Sequence, residues 1–125
     1  ARSTCEEAVR GEGGGVKPAT LYVVVRADLA PGLQMAQAIH AQRLFVAEHP
    51  EVERAWFEGS NTISVVHAPD EEALLDVRAR AGAKGIPASL FEEPDLGGEA
   101  TALTLAPSLD SVRLCRRLRA AFSGL

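Results

Sequence analysis

Leu21-Tyr22-Val23-Val24-Val25-Arg26 is the stretch from which the fold is read. Its apolar residues run together without alternation, and three of them are β-branched valines. That predicts a short strand buried on both faces. Such a strand sits inside a sheet with parallel pairing, whose crossovers must supply helices. The flanking sequence contains them. Pro31-Gly32 opens a helix that runs to about Glu48, Pro31 suiting the first turn, and His49-Pro50 ends it. The apolar residues of this helix, Leu33, Met35, Ala36, Ile39, Leu44, Phe45 and Val46, nearly encircle it, which predicts cover on more than one side.

Asn61-Thr62-Ile63-Ser64-Val65-Val66-His67 reads as a second strand. Asp70 then caps a second helix, with Glu71 and Glu72 at its positive dipole end, Leu74, Leu75 and Val77 as anchors, and Gly82 and Gly85 at its close. Ala88-Ser89-Leu90-Phe91 is a third strand and Thr101-Ala102-Leu103-Thr104-Leu105 a fourth. They form either a loose antiparallel pair or separated neighbours, since only a loop over residues 92–100 joins them. Pro107-Ser108 leads into a last helix expected over residues 109–122, anchored by Val112, Leu114, Cys115, Leu118 and Phe122. The expected fold is α/β: a small three-layer sandwich with an about four-stranded mixed sheet and helices on both faces. Residues 1–18, with the run Gly11-Glu12-Gly13-Gly14-Gly15, read as a flexible tail or linker, and residues 19–125 as a single domain.

Composition narrows the functional classes. A chain of 125 residues is one domain's length. The net charge of −4 argues against wholesale electrostatic binding to nucleic acid. No apolar run approaches a membrane span. Cys5 and Cys115 lie far apart, which leaves open a disulfide between them but more often means a reducing cytosol, with Cys115 expected to be a buried thiol. His49 and His67 lack partners at metal spacing, so no metal is expected, and no cofactor motif is present.

Four segments carry a family resemblance. Val24-Val25-Arg26-Ala27-Asp28-Leu29 is followed by Gln37-Ala38-Ile39-His40-Ala41. Trp56 and Gly59 precede Val65-Val66-His67-Ala68-Pro69-Asp70-Glu71-Glu72. Then come Gly85-Ile86-Pro87-Ala88-Ser89-Leu90-Phe91 and Thr101-Ala102-Leu103-Thr104-Leu105-Ala106-Pro107. In this order they resemble the type-2 peptidyl-tRNA hydrolases over about residues 21–123. Two departures stand out. The family's lysine-bearing glycine loop is replaced by Ala30-Pro31-Gly32-Leu33-Gln34. Its aspartate-containing loop is replaced by an acidic stretch over residues 92–100, in which Glu93 falls where the aspartate would.

The resemblance implies hydrolysis of a peptidyl-tRNA or related aminoacyl-tRNA ester in the cytoplasm, by a protein of a family that often forms homodimers. That reaction requires an activated water, an oxyanion stabiliser and a grip on the tRNA end. The expected catalytic groups are His40, because imidazole is the side chain suited to proton transfer near neutrality, and Glu93 or Asp95 to place water. Gln37 lies one turn before His40 on the same helix face. Arg26 and Asp28 stand at a strand's carboxyl end, where open α/β sheets bind ligands, or form a structural ion pair. Asn61 and Thr101, each at the start of a strand, join the substrate-binding candidates. Arg113, Arg116 and Arg117, spaced along the last helix, are either a phosphate grip or a complement to its dipole. Two other functions compete: a catalytically inactive fold used as a protein-binding module, and a hydrolase of another small ester.

Overall fold

The structure, a computed structural model, describes residues 19–122. The glycine-rich tail and Cys5 lie outside them. The elements follow as β1 (Thr20–Arg26), α1 (Pro31–Glu48), α2 (Pro50–Glu58), β2 (Thr62–Ala68), α3 (Glu71–Ala83), β3 (Ala88–Glu93), a 3-10 turn (Pro94–Leu96), β4 (Glu99–Leu105), α4 (Leu109–Cys115) and β5 (Arg119–Ala120). The five strands form one sheet in the order β3-β4-β1-β2-β5. β1 and β2 are parallel, and the other pairings are antiparallel. β3 and β4 are therefore a paired hairpin, which settles the alternative left open by the sequence.

β1 is the central strand, and all of it except Tyr22 is buried, as its unbroken apolar run predicts. Its side chains alternate between faces. Val25 packs with Ala41 of α1 and Ala102 of β4. Val24 joins the larger core that includes Leu74, Val77 and Leu103. Helices thus cover both faces. In α3, Asp70 caps the N-terminus by accepting the Ala73 N–H at 2.9 Å, as expected. Asp70→Ala should cost about 1 kcal/mol in urea unfolding through loss of this bond. A change within a few tenths of zero would show that the cap is dispensable.

Three expectations need correction. First, α1 is not covered by its apolar girdle. Its buried stripe is Gln34, Gln37, Ala41 and Phe45, a helical spacing in which two members are amides. Met35 and Ile39 are 55% and 68% exposed. Second, His49-Pro50 is a corner rather than an exit: Pro50 occupies the first turn of α2, where its missing N–H costs nothing. Third, the last helix ends at Cys115, not at residue 122. The chain turns there, with the Leu118 N–H on the Cys115 carbonyl, and β5 pairs along the free edge of β2. The register sets Val66 opposite Ala120 and His67 opposite Arg119, and the Ala121 N–H reaches the Val65 carbonyl at 2.8 Å. This pairing satisfies backbone groups that a longer helix would have left open on the β2 edge. Cys115 is buried as expected, and burial pushes its thiol up to about 12.

Candidate active site at the carboxyl ends of the parallel strands

The sheet topology gathers the ends of β1, β2 and β3 with the start of β4 at one end of the molecule. α1 begins there too, because it follows β1 through a short turn. Its two buried glutamines organise this end. Gln34 donates its amide N–H groups to the carbonyls of Ala27 and Leu29, at 3.3 and 2.6 Å, which fixes the turn. Its Oε1 is then left as an acceptor and lies 2.6 Å from Nε2 of His67. That nitrogen must carry a proton, so Nδ1 is the nitrogen able to accept in the neutral ring.

Gln37, one turn later, is 1% exposed and sits between two partners. Its Oε1 accepts from the Thr101 hydroxyl at 2.5 Å, and its Nε2 donates to Oε1 of Glu93 at 2.8 Å. Thr101 reaches the glutamine because of a bulge. Phe91 is opposite Ala102 and Glu92 opposite Ala100, so Thr101 is the extra residue on β4. The bulge turns its side chain to the α1 side, where regular alternation would have turned it away. The other carboxylate oxygen of Glu93 accepts the Asp95 N–H at 3.1 Å, closing the 3-10 turn. These bonds favour the charged form: the Gln37 amide first, then the Asp95 N–H, and more weakly the charge of His40, hold Glu93 below its ordinary pKa. His40 is exposed and stacks on Phe91, with ring centroids 4.8 Å apart.

The structure therefore brings together His40, Glu93, Gln37 and Thr101. It gives an ionised carboxylate whose two oxygens are fixed by buried or backbone donors, beside an accessible imidazole. Such a pair can orient a water and receive its proton. Asp95 enters through its backbone N–H, while its side chain is exposed.

The remaining candidates lie elsewhere. Arg26 is buried and points to the opposite face of the sheet from Val25. It makes a bidentate pair with Asp28 at 3.0 and 2.9 Å and donates to Glu99 at 2.7 Å and to the Ala100 carbonyl at 3.1 Å. Its carboxylates, Asp28 foremost, raise its pKa, and it holds Asp28 below the ordinary range in return. With the Ala100 N–H bonded to Glu71 of α3 at 2.9 Å, this cluster anchors the start of β4. Its donors are engaged within the fold, as in the structural alternative. Asn61 stands before β2, at the far end of the sheet, about 20 Å away by strand length. It adopts the left-handed conformation (φ 53°) of a turn residue. The arginines do not form one helical face. Arg113 pairs with Asp110 at 3.6 Å, Arg116 is the last residue of the α4 cap, and Arg117 lies beyond it.

Sequence reasoning gave Gln34 and His67 no place in the site. The signal for Gln34 was that it shares a helix face with Gln37, an alanine and a phenylalanine. A cleft of about 480 Å³ beside His67 is lined partly by Arg117, Arg119 and Phe122. Among the described residues there is no group of three or more potential metal ligands, and no helix is long and apolar enough to cross a membrane.

The family whose sequence model matches this chain is peptidyl-tRNA hydrolase PTH2, over residues 19–113. No curated protein matches the chain in sequence. A solved structure of a protein of unknown function from Agrobacterium tumefaciens strain C58 shares the fold, with a TM-score of 0.63 and 17% identity. The match covers 81% of this chain and 96% of that one.

Proposed function

Because the chain belongs to the peptidyl-tRNA hydrolase PTH2 family, we propose that it hydrolyses, in the cytoplasm, the ester joining a peptide or blocked amino acid to the terminal ribose of tRNA. The observation that carries this reading is the Glu93 carboxylate, fixed by Gln37 and the Asp95 N–H beside His40. In the proposed reaction a water held by Glu93 attacks the ester carbonyl carbon, and His40 takes the proton the water loses. The tetrahedral adduct collapses with cleavage of the bond from carbon to ribose oxygen. The same proton passes to that oxygen, giving a peptide acid and a tRNA with a free hydroxyl. Thr101 acts through Gln37 and is a positioning residue: its hydroxyl saturates the amide oxygen, so the amide N–H side faces Glu93.

The test is release of the acyl group from an N-acetyl-aminoacyl-tRNA at neutral pH. The chain should turn over, and His40→Ala should lower the rate about a hundredfold. No release at stoichiometric protein would overturn the hydrolase reading in favour of a binding module. Release that survives His40→Ala within a few fold would remove His40 from the mechanism.

A further inference from the structure

The second polar group at this end of the molecule, around His67, is not used by the chemistry proposed above. The register of β5 on β2 sets Arg119 directly opposite His67, so both side chains lie on the α1 side of the sheet. Arg117 lines the same cleft. Neither arginine has a carboxylate partner among the described residues, unlike Arg26, Arg54, Arg80 and Arg113. The cleft is otherwise apolar: Ala27 and Leu118 contribute to its walls, and the Phe122 ring meets His67 edge-on with centroids 5.7 Å apart. Phe122 is held at φ 60°, a backbone region costly for an aromatic residue. His67 has its Nε2–H committed to Gln34, leaving Nδ1 to accept a hydrogen bond.

We propose that this cleft binds a nucleoside monophosphate unit, with its phosphate on Arg117 and Arg119 and its sugar and base against Phe122 and Leu118. Two guanidinium groups with no carboxylate partner among the described residues suit a phosphate, with which arginine makes bidentate bonds. The aromatic and aliphatic walls suit a base, whose flat face stacks without regard to sequence. Nδ1 of His67 offers an acceptor for a ribose hydroxyl. The inference rests on the tRNA-ester reading for its biological ligand. β2 lies three strand spacings from β3, about 14 Å from the Glu93 end. The nucleotide seated here is therefore upstream of the esterified one, and the acceptor strand crosses the first turns of α1 between the two sites.

The experiment uses adenosine 5′-monophosphate, adenosine and inorganic phosphate as probes, followed by the NMR signals of the whole chain. The monophosphate should shift signals of His67, Arg119 and Phe122, phosphate alone should compete, and adenosine should bind about tenfold or more weakly. Arg117→Ala/Arg119→Ala should lose the monophosphate about tenfold or more. Backbone pairing of β5 does not need the arginine side chain, and Arg117→Lys/Arg119→Lys, which keeps charge, should recover part of the affinity. Absence of shifts in these residues at millimolar probe, or equal binding by the double alanine variant, would overturn the assignment. So would adenosine binding as well as its monophosphate. With N-acetyl-aminoacyl-tRNA, the double alanine variant should raise KM about tenfold and leave kcat within twofold. Its salt dependence should flatten by about 0.7 in log-log slope, the loss of one single-strand phosphate contact. Monophosphate binding without any ester hydrolysis would reject the hydrolase reading and keep the cleft. Hydrolysis indifferent to both arginines would do the reverse.

Discussion

Glu93→Gln is expected to slow release of the acyl group from tRNA by about a hundred- to a thousandfold, with little change in folding stability. The substitution keeps the shape of the side chain and removes its charge. An amide still offers one oxygen to the Gln37 N–H, but it cannot present acceptors to Gln37 and to the Asp95 N–H together. The water then loses its fixed acceptor. The pH profile supplies a second readout. Because Glu93 titrates below the ordinary carboxylate value of 4.5, it stays ionised as pH falls through that value. Its own contribution to stability is likewise present above that value and lost only as pH falls through the lower, folded-state pKa. An acid limb in kcat/KM nearer neutrality therefore belongs to a group other than Glu93. A Glu93→Gln enzyme within threefold of the parent would show that the carboxylate only supports the loop.

Phe45→Ala should destabilise the domain by about 3–5 kcal/mol, read as a shift of the urea midpoint at unchanged slope. Phe45 is 0% exposed and among the largest fully buried side chains. It lies in the main core with Leu21 and beside the His49 ring, 5.0 Å between centroids. Small domains have about 5–15 kcal/mol in total, so this single truncation removes much of the margin. Met35→Ala, on the same helix, should stay within about 0.5 kcal/mol, because Met35 already faces solvent. Equal effects at the two positions would contradict the orientation of α1.

That contrast marks the limit of what the residues disclosed on their own. The central strand was legible because Val23, Val24 and Val25 permit little else, and α3 because Asp70 announces its cap. The register of the family resemblance also carried the reading to Gln37, His40 and Glu93. The rotation of α1 was not legible. An apolar count favours Met35 and Ile39 over Gln34 and Gln37, yet each glutamine gains bonds inside that Met35 could never make. The role of Thr101 depended on a bulge, which leaves no mark in a run of strand-forming residues. The early end of α4 depended on an unfilled sheet edge fifty residues earlier in the chain, a long-range demand that local propensity for helix does not register.

The position of β1 also bears on how the protein is made. The strand pairs on one side with β2 and on the other with β4, Tyr22 meeting Leu105. As the chain emerges from the ribosome, β1, α1 and β2 are available well before β4. Until β4 is released, Val23, Val24 and Val25 present an open, apolar ladder edge that another nascent chain can occupy. Completion of the sheet and removal of that hazard come in the same step, and that step also delivers Thr101 to Gln37.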